Sequence, residues 1–332
     1  MSQSTNTWYA SGLPLLLSRQ ELPSSLVRLV LSDLTTGKFD EAQAAAFLVA
    51  WRMKGETPSE LAAAVEVLRQ SMVRLPATAQ GVLDTCGTGG DDSGTFNISS
   101  AVALVVASAG VPVAKHGNRA VSSRSGSADV FAELGLPIEA GKNWAQHTLT
   151  TTGFAFCLAP HFHPALAHVG PLRRKLGMRT VFNLLGPLLN PASADYQLLG
   201  VGKPELLDPL AGAVALLGTK QAYLVSGHDG LDEVTLAAPT NVRKVTNGQI
   251  EVLEWTPSDF GLEPVALSDI RATNPQESAK FIQAVLAGEA GPARRIVLAN
   301  TAAAFVAAQR TPTLRAGVQL AGNRRQPEEV GR

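Results

Sequence analysis

Hydrophobic residues in the first quarter of the chain recur at helical spacing. Asp40 precedes an apolar stripe on one helix face, made of Ala42, Ala46, Val49, Ala50 and Met53. The run Thr57-Pro58-Ser59-Glu60 is a capping box with proline at the first helical position. Residues 24–72 are therefore predicted to form a small helical unit, used for core packing or dimer contact. Residues 1–18 lack this spacing and are predicted to be a loosely ordered tail.

After Pro76 the pattern changes to short apolar runs that alternate with helical stretches. We predict strands at 82–86, 111–115, 154–159 and 221–226, and helices at 98–108, 128–134, 205–217, 279–287 and 293–307. Asn247-Gly248 lies between two further apolar runs and predicts a hairpin turn. Residues 257–264 are predicted to form a loop, and the tail from Arg324 to be frayed. Strands and helices in alternation favour an α/β fold with a mostly parallel central sheet flanked by helices.

Composition limits the classes of partner. Of the 332 residues, 45% are hydrophobic, which is enough for a large core. Lys and Arg number 28, as do Asp and Glu, so no general attraction to nucleic acid or a membrane is expected. The longest apolar stretch, 101–113, is too short to span a bilayer. Two distant cysteines and the lack of a secretory signal favour a cytoplasmic protein without disulfides.

A glycine-rich loop follows the first predicted strand. Gly87, Gly89 and Gly90 stand in the run Asp84-Thr85-Cys86-Gly87-Thr88-Gly89-Gly90-Asp91, and Asn97 is a good N-cap for the next helix. Glycine permits close backbone approach, and the free amides of a first helical turn favour an anion. The spacing is neither that of a Walker A loop nor that of a dinucleotide fingerprint. The loop predicts a phosphate or diphosphate site, with a ligand-free glycine turn as the alternative.

A basic loop follows the next predicted strand. It comprises Lys115-His116-Gly117-Asn118-Arg119 and then Ser122-Ser123-Arg124-Ser125-Gly126-Ser127. Ligands of α/β sheets lie beyond the carboxyl ends of strands, so this loop should lie beside the glycine-rich loop. Its cations and hydroxyls suit a multiply charged phosphate ester. A solvated basic loop is the alternative, and His116 could be a backbone-bonded histidine rather than an acid or base.

Acidic residues follow a fourth predicted strand, in the run Asp229-Gly230-Leu231-Asp232-Glu233. Adjacent carboxylates repel unless a cation lies beside them, and Mg²⁺ commonly takes one or two carboxylates together with substrate phosphate oxygens. The alternative is that the two carboxylates are solvent-exposed surface residues without a ligand.

A predicted helix between Pro164 and Gly177 carries Arg173-Arg174-Lys175. A guanidinium there could hold a substrate carboxylate through two hydrogen bonds. A charged, solvent-facing helix is the alternative.

These motifs together resemble the anthranilate phosphoribosyltransferases, enzymes of tryptophan biosynthesis. The similarity runs in register from about Val30 to Ala321. Its marks are Arg52-Met53-Lys54-Gly55-Glu56-Thr57, Gly87-Thr88-Gly89-Gly90-Asp91, Lys115-His116-Gly117-Asn118-Arg119, Arg179-Thr180-Val181-Phe182-Asn183-Leu184-Leu185-Gly186-Pro187 and Asp229-Gly230-Leu231-Asp232-Glu233. Several long motifs in one order argue against chance similarity.

The resemblance implies a helical domain at 1–76, with a contribution from about 163–190, and an α/β catalytic domain at 77–332. It implies a cytoplasmic homodimer formed through the helical parts, with Mg²⁺ as cofactor and no nucleic-acid or membrane partner. The implied reaction transfers the phosphoribosyl group of phosphoribosyl pyrophosphate to the amine of anthranilate. The products are N-(5-phosphoribosyl)anthranilate and pyrophosphate, the second step of tryptophan biosynthesis from chorismate.

The resemblance also implies the site residues. The phosphoribosyl pyrophosphate contacts fall on Gly87, Gly90, Asp91, Thr95, Asn97, Ile98, Ser99, Ser100, Lys115, His116, Gly117, Asn118, Arg119, Ala120, Val121, Ser122, Ser123 and Ser127. The metal contacts fall on Ser99, Asp232 and Glu233, and the anthranilate contacts on Gly87, Asn118 and Arg173, with His163 and Pro187 along the entry path. The resemblance assigns no residue as a catalytic acid or base.

Three features depart from the family's pattern. Ser100 stands where threonine is usual, and Asp92 stands where glycine is common, which adds negative charge beside a diphosphate. The chain beyond Ala321 is shorter than expected, which puts the last helix in doubt. Two rival functions stay open, a pyrimidine nucleoside phosphorylase on the same scaffold and a non-catalytic nucleic-acid-binding relative.

Overall fold

The computed structural model describes residues 7–76, 80–91, 93–120 and 125–323. Val121, Ser122, Ser123, Asp92 and the predicted frayed tail from Arg324 lie outside these residues. The first four helices are α1 (Thr7–Leu17), α2 (Ser24–Thr36), α3 (Glu41–Lys54) and α4 (Pro58–Ser71). The capping box at Thr57 is confirmed, since both of its reciprocal hydrogen bonds are present.

The prediction of a loose N-terminal tail is wrong for residues 7–17, which form α1. Trp8 explains the order, because its ring is fully buried and packs edge-on against Phe47 of α3, with ring centroids 5.2 Å apart. Its indole N–H donates to Asp33 of α2 at 3.0 Å. These contacts are tertiary, so the spacing of apolar residues within 1–18 does not reveal them.

The apolar stripe predicted on α3 is not the face that the helix buries. Met53 is 76% exposed, and Ala42 and Ala46 are also exposed. The buried face carries the larger side chains Phe47 and Trp51, with Ala44 and Leu48. Burying aromatic rings removes more apolar area from water, so the aromatic face packs inward.

The strands form one seven-stranded sheet in the order β3-β2-β1-β4-β5-β6-β7. They are β1 (Leu83–Gly87), β2 (Val113–Gly117), β3 (Phe154–Leu158), β4 (Tyr196–Gly200), β5 (Gln221–Gly227), β6 (Thr240–Thr246) and β7 (Gln249–Trp255). The first five strands in chain order pair in parallel, and β6 and β7 add an antiparallel hairpin. The predicted mostly parallel sheet and the Asn247-Gly248 turn are confirmed. Strand β2 begins two residues later than predicted.

Eleven further helices lie among the described residues. They are α5 (Ile98–Ser108), α6 (Ser127–Glu133), α7 (Gly141–Thr152), α8 (Ala159–Phe162), α9 (Gly170–Leu176), α10 (Phe182–Leu185), α11 (Leu207–Leu216), α12 (Pro257–Phe260), α13 (Pro275–Leu286), α14 (Pro292–Ala307) and α15 (Leu314–Gly322). Helix α5 has the predicted bounds, whereas α12 lies within the stretch predicted to be a loop. No described helix combines the length and apolar character needed to cross a bilayer.

The two faces of the sheet pack into different apolar clusters. On β4, Leu198 belongs to the cluster built with α5 and α14, whereas Leu199 belongs to the cluster that includes the N-terminal helices and α11. Residues around Val169 and 181–189 pack into this second cluster, beside the helical unit. The stretch that carries Arg173 therefore lies between the helical unit and the carboxyl edge of the sheet.

Candidate active site

A cleft of about 380 Å³ lies beyond the carboxyl ends of the parallel strands. It brings together the glycine-rich loop after β1, the basic loop after β2 and the acidic pair after β5. The predicted site residues that line the cleft are Gly87, Gly90, Asp91, Thr95, Asn97, Ile98, Ser99, Lys115, His116, Gly117, Asn118, Arg119, Ser127, Pro187, Asp232 and Glu233. Ser100, which is fully buried, and Ala120, Arg173 and His163 are not among the lining residues.

The glycine-rich loop is held from two sides. Thr88 donates its backbone N–H to Gly200 O at 2.9 Å, and its Oγ1 accepts the N–H of Gly202 at 3.1 Å. From the opposite side Arg179 donates Nη2 to Thr88 O at 2.7 Å. A Cβ at Gly90, where φ is +78°, would collide with the Arg179 guanidinium, so glycine is required there. Sequence reasoning used Arg179 only as a mark of resemblance and missed this contact.

The predicted cap at the start of α5 is wrong. Asn97 makes no side-chain hydrogen bond to the first turn of α5. Its Oδ1 instead accepts from the hydroxyls of Ser125 and Ser278, each at 2.8 Å. The N–H of Ser99, predicted to be free for an anion, donates to Glu233 Oε1 at 3.1 Å. The carboxylate therefore occupies part of the anion site that the helix terminus creates.

Lys115 lies beneath the loops, with only 2% of its surface exposed. Its ammonium donates to Thr85 O and, at 3.1 Å, to Ser99 Oγ. Burial lowers the pKa of Lys115, and the carboxylates of Asp84 and Glu233 act in the opposite direction. Lys115 therefore joins β1, β2 and α5, and it places a positive charge behind the acidic pair.

His116 is bonded to the backbone, as its alternative reading proposed. Its Nδ1 lies 3.0 Å from Gly186 O, and a carbonyl only accepts, so Nδ1 carries the proton. Burial lowers the pKa of His116 to about 3, and the ring of His163, whose centroid is 4.9 Å away, adds to this effect. His116 is therefore neutral at pH 7 and cannot serve as an acid there.

Arg119 points toward the rim of the cleft and is ion-paired. Its guanidinium contacts Glu139 at 2.6 Å and Asp129 at 3.4 Å. Asp129 also accepts the backbone N–H groups of Ala120 and Gly126 at 2.9 and 3.0 Å. One carboxylate thus closes the base of the basic loop, and a phosphate would have to compete with Glu139 for Arg119.

Three carboxylates meet on the acidic side of the cleft. Burial raises the pKa of Asp232 well above its usual value, and the charges of Asp91 and Glu233 raise it further. Burial also raises the pKa of Glu233 to about 7, opposed by the Lys115 charge. Asp229 is separate, since it accepts from Leu231 N–H and from Thr235 Oγ1 within its own turn. Carboxylates that repel one another in this way favour a bound cation.

Within the described ranges, no group of three or more His, Cys, Asp or Glu side chains has the arrangement needed to hold a metal ion. Asp232 and Glu233 could therefore supply only part of a coordination shell. Mg²⁺ accepts such a shell, because it keeps waters or phosphate oxygens as its remaining ligands.

Arg173 lies on α9 behind the cleft. Its guanidinium sits over the ring of Phe182, 5.4 Å from the centroid, and burial lowers its pKa. Phe182 adjoins Asn183, which lines the cleft together with Gly186 and Pro187. His163 is buried beside His116, and burial lowers its pKa to about 4. Asn183, Gly186 and Pro187 thus form a further, uncharged wall of the cleft, and Arg173 and His163 lie behind it.

A cleft of this kind, in an α/β domain joined to a helical bundle, defines a glycosyl transferase. The a/b domain of the glycosyl transferase family matches residues 79–325, and the helical bundle domain of that family matches residues 14–72. An anthranilate phosphoribosyltransferase of Desulfitobacterium hafniense is 47% identical over 93% of this chain and 92% of its own. The chain belongs to the anthranilate phosphoribosyltransferase family.

Solved structures agree with this assignment. The anthranilate phosphoribosyltransferase of Thermus thermophilus superimposes with a TM-score of 0.86 at 40% identity, covering 93% of each chain. The Saccharomyces cerevisiae enzyme, solved in complex with PRPP and Mg, gives a TM-score of 0.85 at 30% identity. That comparison covers 97% of this chain and 93% of the yeast chain.

Proposed function

We infer that this protein is an anthranilate phosphoribosyltransferase of tryptophan biosynthesis. It transfers the phosphoribosyl group of phosphoribosyl pyrophosphate to the amine of anthranilate, releasing pyrophosphate. The observation that carries this inference is the convergence of the glycine-rich loop, the basic loop and the acidic pair on one cleft. In a chain 47% identical to a curated enzyme of this activity, that convergence fits a sugar diphosphate better than any other substrate class.

The sugar diphosphate would lie across the two loops. Backbone amides around Gly90 and the hydroxyl of Ser99 would bind the diphosphate. Amides and hydroxyls of the basic loop would bind the ribose phosphate. Arg119 would give up its hydrogen bond to Glu139 and donate to a phosphate oxygen instead. The full proposed set is Gly87, Gly90, Asp91, Thr95, Asn97 to Ser100, Lys115 to Ser123 and Ser127.

Asp232, Glu233 and the Ser99 hydroxyl would hold Mg²⁺ at the acidic edge. The support is electrostatic. Burial raises the pKa of Asp232 and of Glu233, and the charge of Asp91 raises both further, so a bound cation would relieve the repulsion among these carboxylates. When bound, Mg²⁺ supplies positive charge that stabilises the departing pyrophosphate. Lys115 remains behind the carboxylates and holds Ser99 in place.

Anthranilate would bind along the uncharged wall. Arg173 offers a buried guanidinium for its carboxylate, and Phe182 keeps that guanidinium oriented. Gly87, Asn118 and Pro187 line the cleft, and the amine would approach the sugar between them. His163 would border the entry path as a neutral side chain.

The reaction needs positioning more than proton transfer. The aromatic amine is largely neutral at pH 7, so its nitrogen lone pair can attack the anomeric carbon directly while the bond to pyrophosphate breaks. The proton that the nitrogen then loses would pass to solvent or to the released pyrophosphate. The transition state would resemble an oxocarbenium ion, as in other glycosyl transfers. Neutral His116 cannot donate a proton, so catalysis rests on orientation and on stabilising the leaving diphosphate.

A homodimer in the cytoplasm completes the proposal. The helical unit exposes large apolar side chains, with Leu17 at 71% and Met53 at 76%. Such side chains suit a surface that a second copy covers. Sedimentation equilibrium should then give twice the chain mass of 34.8 kDa, and a monomer mass would contradict the dimer.

The decisive experiment follows the loss of anthranilate fluorescence on addition of phosphoribosyl pyrophosphate, with and without Mg²⁺. Metal-dependent product formation is expected. The same preparation should not cleave thymidine with inorganic phosphate, nor shift a nucleic acid in a low-salt gel. Thymidine phosphorolysis without anthranilate turnover would establish the nucleoside phosphorylase instead.

A further inference from the structure

Ser278 lies outside the cleft and is hydrogen-bonded to Asn97, which lines it. It is fully buried on α13 and does not line the cleft. Its Oγ accepts the backbone N–H of Asn97 at 2.9 Å and donates to Asn97 Oδ1 at 2.8 Å. A single hydroxyl therefore holds both the backbone and the side chain of Asn97.

Asn97 in turn holds the basic loop. Its Oδ1 also accepts from Ser125 Oγ at 2.8 Å, and its Nδ2 donates to Ser125 O at 3.3 Å. Asn97 stands where the glycine-rich loop enters α5, and Ser125 stands at the end of the basic loop. The path Ser278–Asn97–Ser125 thus connects α13 to both loops that line the cleft.

Backbone hydrogen bonds also join the end of the glycine-rich loop to the segment that precedes α13. Phe96 donates its N–H to Ile270 O, and Ala272 donates to Gly94 O, each at 2.9 Å. These bonds fasten the end of the glycine-rich loop to the segment before α13. The side-chain path extends the same attachment into the basic loop, which is a separate stretch of chain.

We propose that Ser278 is a positioning residue that sets the spacing between the two loops and so the affinity for phosphoribosyl pyrophosphate. The inference rests on the proposed function. A sugar diphosphate has a fixed length between its phosphate groups, so a shift of one loop relative to the other weakens its binding. Among the residues proposed to contact anthranilate, Arg173 and Pro187 lie on neither loop, so the affinity for anthranilate should respond less than that for phosphoribosyl pyrophosphate.

The test replaces Ser278 with alanine and measures steady-state kinetics for both substrates. Ser278→Ala removes two hydrogen bonds, and the KM for phosphoribosyl pyrophosphate should rise about ten-fold. The KM for anthranilate and kcat should stay within about two-fold. Thr301→Val is the matched control, because Thr301 is equally buried and its hydroxyl has no hydrogen-bond partner among the described residues.

Ser125→Ala supplies a second measurement and does not alter the hydrogen bonds between Ser278 and Asn97. Because both serines act through Asn97, the double variant should raise the KM for phosphoribosyl pyrophosphate by clearly less than the product of the single effects. Multiplicative effects, an unchanged KM in Ser278→Ala, or equal changes in both KM values would overturn the proposal. Wild-type protein that forms no product would instead refute the proposed function, so the two failures are distinguishable.

Discussion

The two sides of the cleft differ in how their polar groups are already bonded. On the diphosphate side, Lys115, Ser99 and Arg119 all have partners within the protein. Where the proposed acceptor side meets the basic loop, the Nε2 atoms of His163 and of His116, itself in the proposed sugar-diphosphate set, are buried without a hydrogen-bond partner in the part of the chain that is described. There the guanidinium of Arg173 rests on the ring of Phe182.

The difference matches the two kinds of substrate. A multiply charged diphosphate can displace internal partners, so its site can be held in shape by ion pairs and hydrogen bonds until it arrives. An aromatic amine with a single carboxylate carries too little charge to displace such internal partners. Its site is instead kept largely uncharged by burial, which lowers the pKa of both histidines. Variants on each side should therefore affect one substrate and leave the other nearly unchanged.

The largest effect is expected at the acidic pair. Asp232→Asn with Glu233→Gln removes both carboxylates proposed to hold Mg²⁺ and should lower Mg²⁺-dependent turnover by at least about a thousand-fold. The fluorescence assay over a range of Mg²⁺ concentrations measures it. Glu254→Gln, which changes an exposed carboxylate, is the control. Unaltered Mg²⁺ dependence in the double variant would remove these residues from the metal site.

Arg173→Ala should come next. Loss of a buried guanidinium that binds a carboxylate costs about 2–5 kcal/mol, so the KM for anthranilate should rise about thirty-fold or more. The KM for phosphoribosyl pyrophosphate should change by less than about three-fold. Arg174→Ala alters the exposed neighbour on the same helix and should behave as wild type. Similar changes in both KM values would contradict the separation of the two sides.

A variant of Arg179 tests the side of the cleft that is proposed to bind the diphosphate. Arg179→Ala removes the hydrogen bond to Thr88 O, and the KM for phosphoribosyl pyrophosphate should rise about ten-fold. Amide hydrogen exchange should also become faster in residues 88–91, because the loop loses its attachment to Arg179. Slow exchange together with a normal KM would show that the loop does not need Arg179.

The last effect leaves both KM values at pH 7 unchanged and concerns the stability of the folded protein against acid. His116 has a pKa of about 3 in the folded protein and about 6.5 when unfolded, so the unfolded chain binds more protons between these values. Its contribution to stability is complete above pH 6.5 and is lost as the pH falls toward 3. Between pH 7 and pH 5 the free energy of unfolding should fall by about 2 kcal/mol on this account.

Urea unfolding at pH 7 and pH 5 measures that loss, and His116→Gln should reduce it. Exposed His147→Gln serves as the control. An acid sensitivity that His116→Gln leaves unchanged would mean that His116 is not the group being protonated.

Local structure could be predicted from the sequence where a short motif is compatible with few backbone conformations. The capping box at Thr57 and the Asn247-Gly248 turn follow from short-range hydrogen bonding and from positive φ angles at both turn residues, +49° and +79°. Strand β4 was missed because Gln197 interrupts its apolar run. Gln197 can be buried since its amide donates to Pro187 O, an acceptor ten residues away in sequence that becomes adjacent only in the fold.

The sequence by itself indicated the strands that precede the glycine-rich loop, the basic loop and the acidic pair, and therefore that these share the carboxyl edge of the sheet, because parallel strands place those ends together. Only the tertiary structure decided which face of α3 is buried, why Asn97 binds two serines rather than capping α5, and that Lys115 supports the loops from below. Each of these depends on a partner distant in sequence, and the free energy of burial or of a hydrogen bond exists only once that partner is in place.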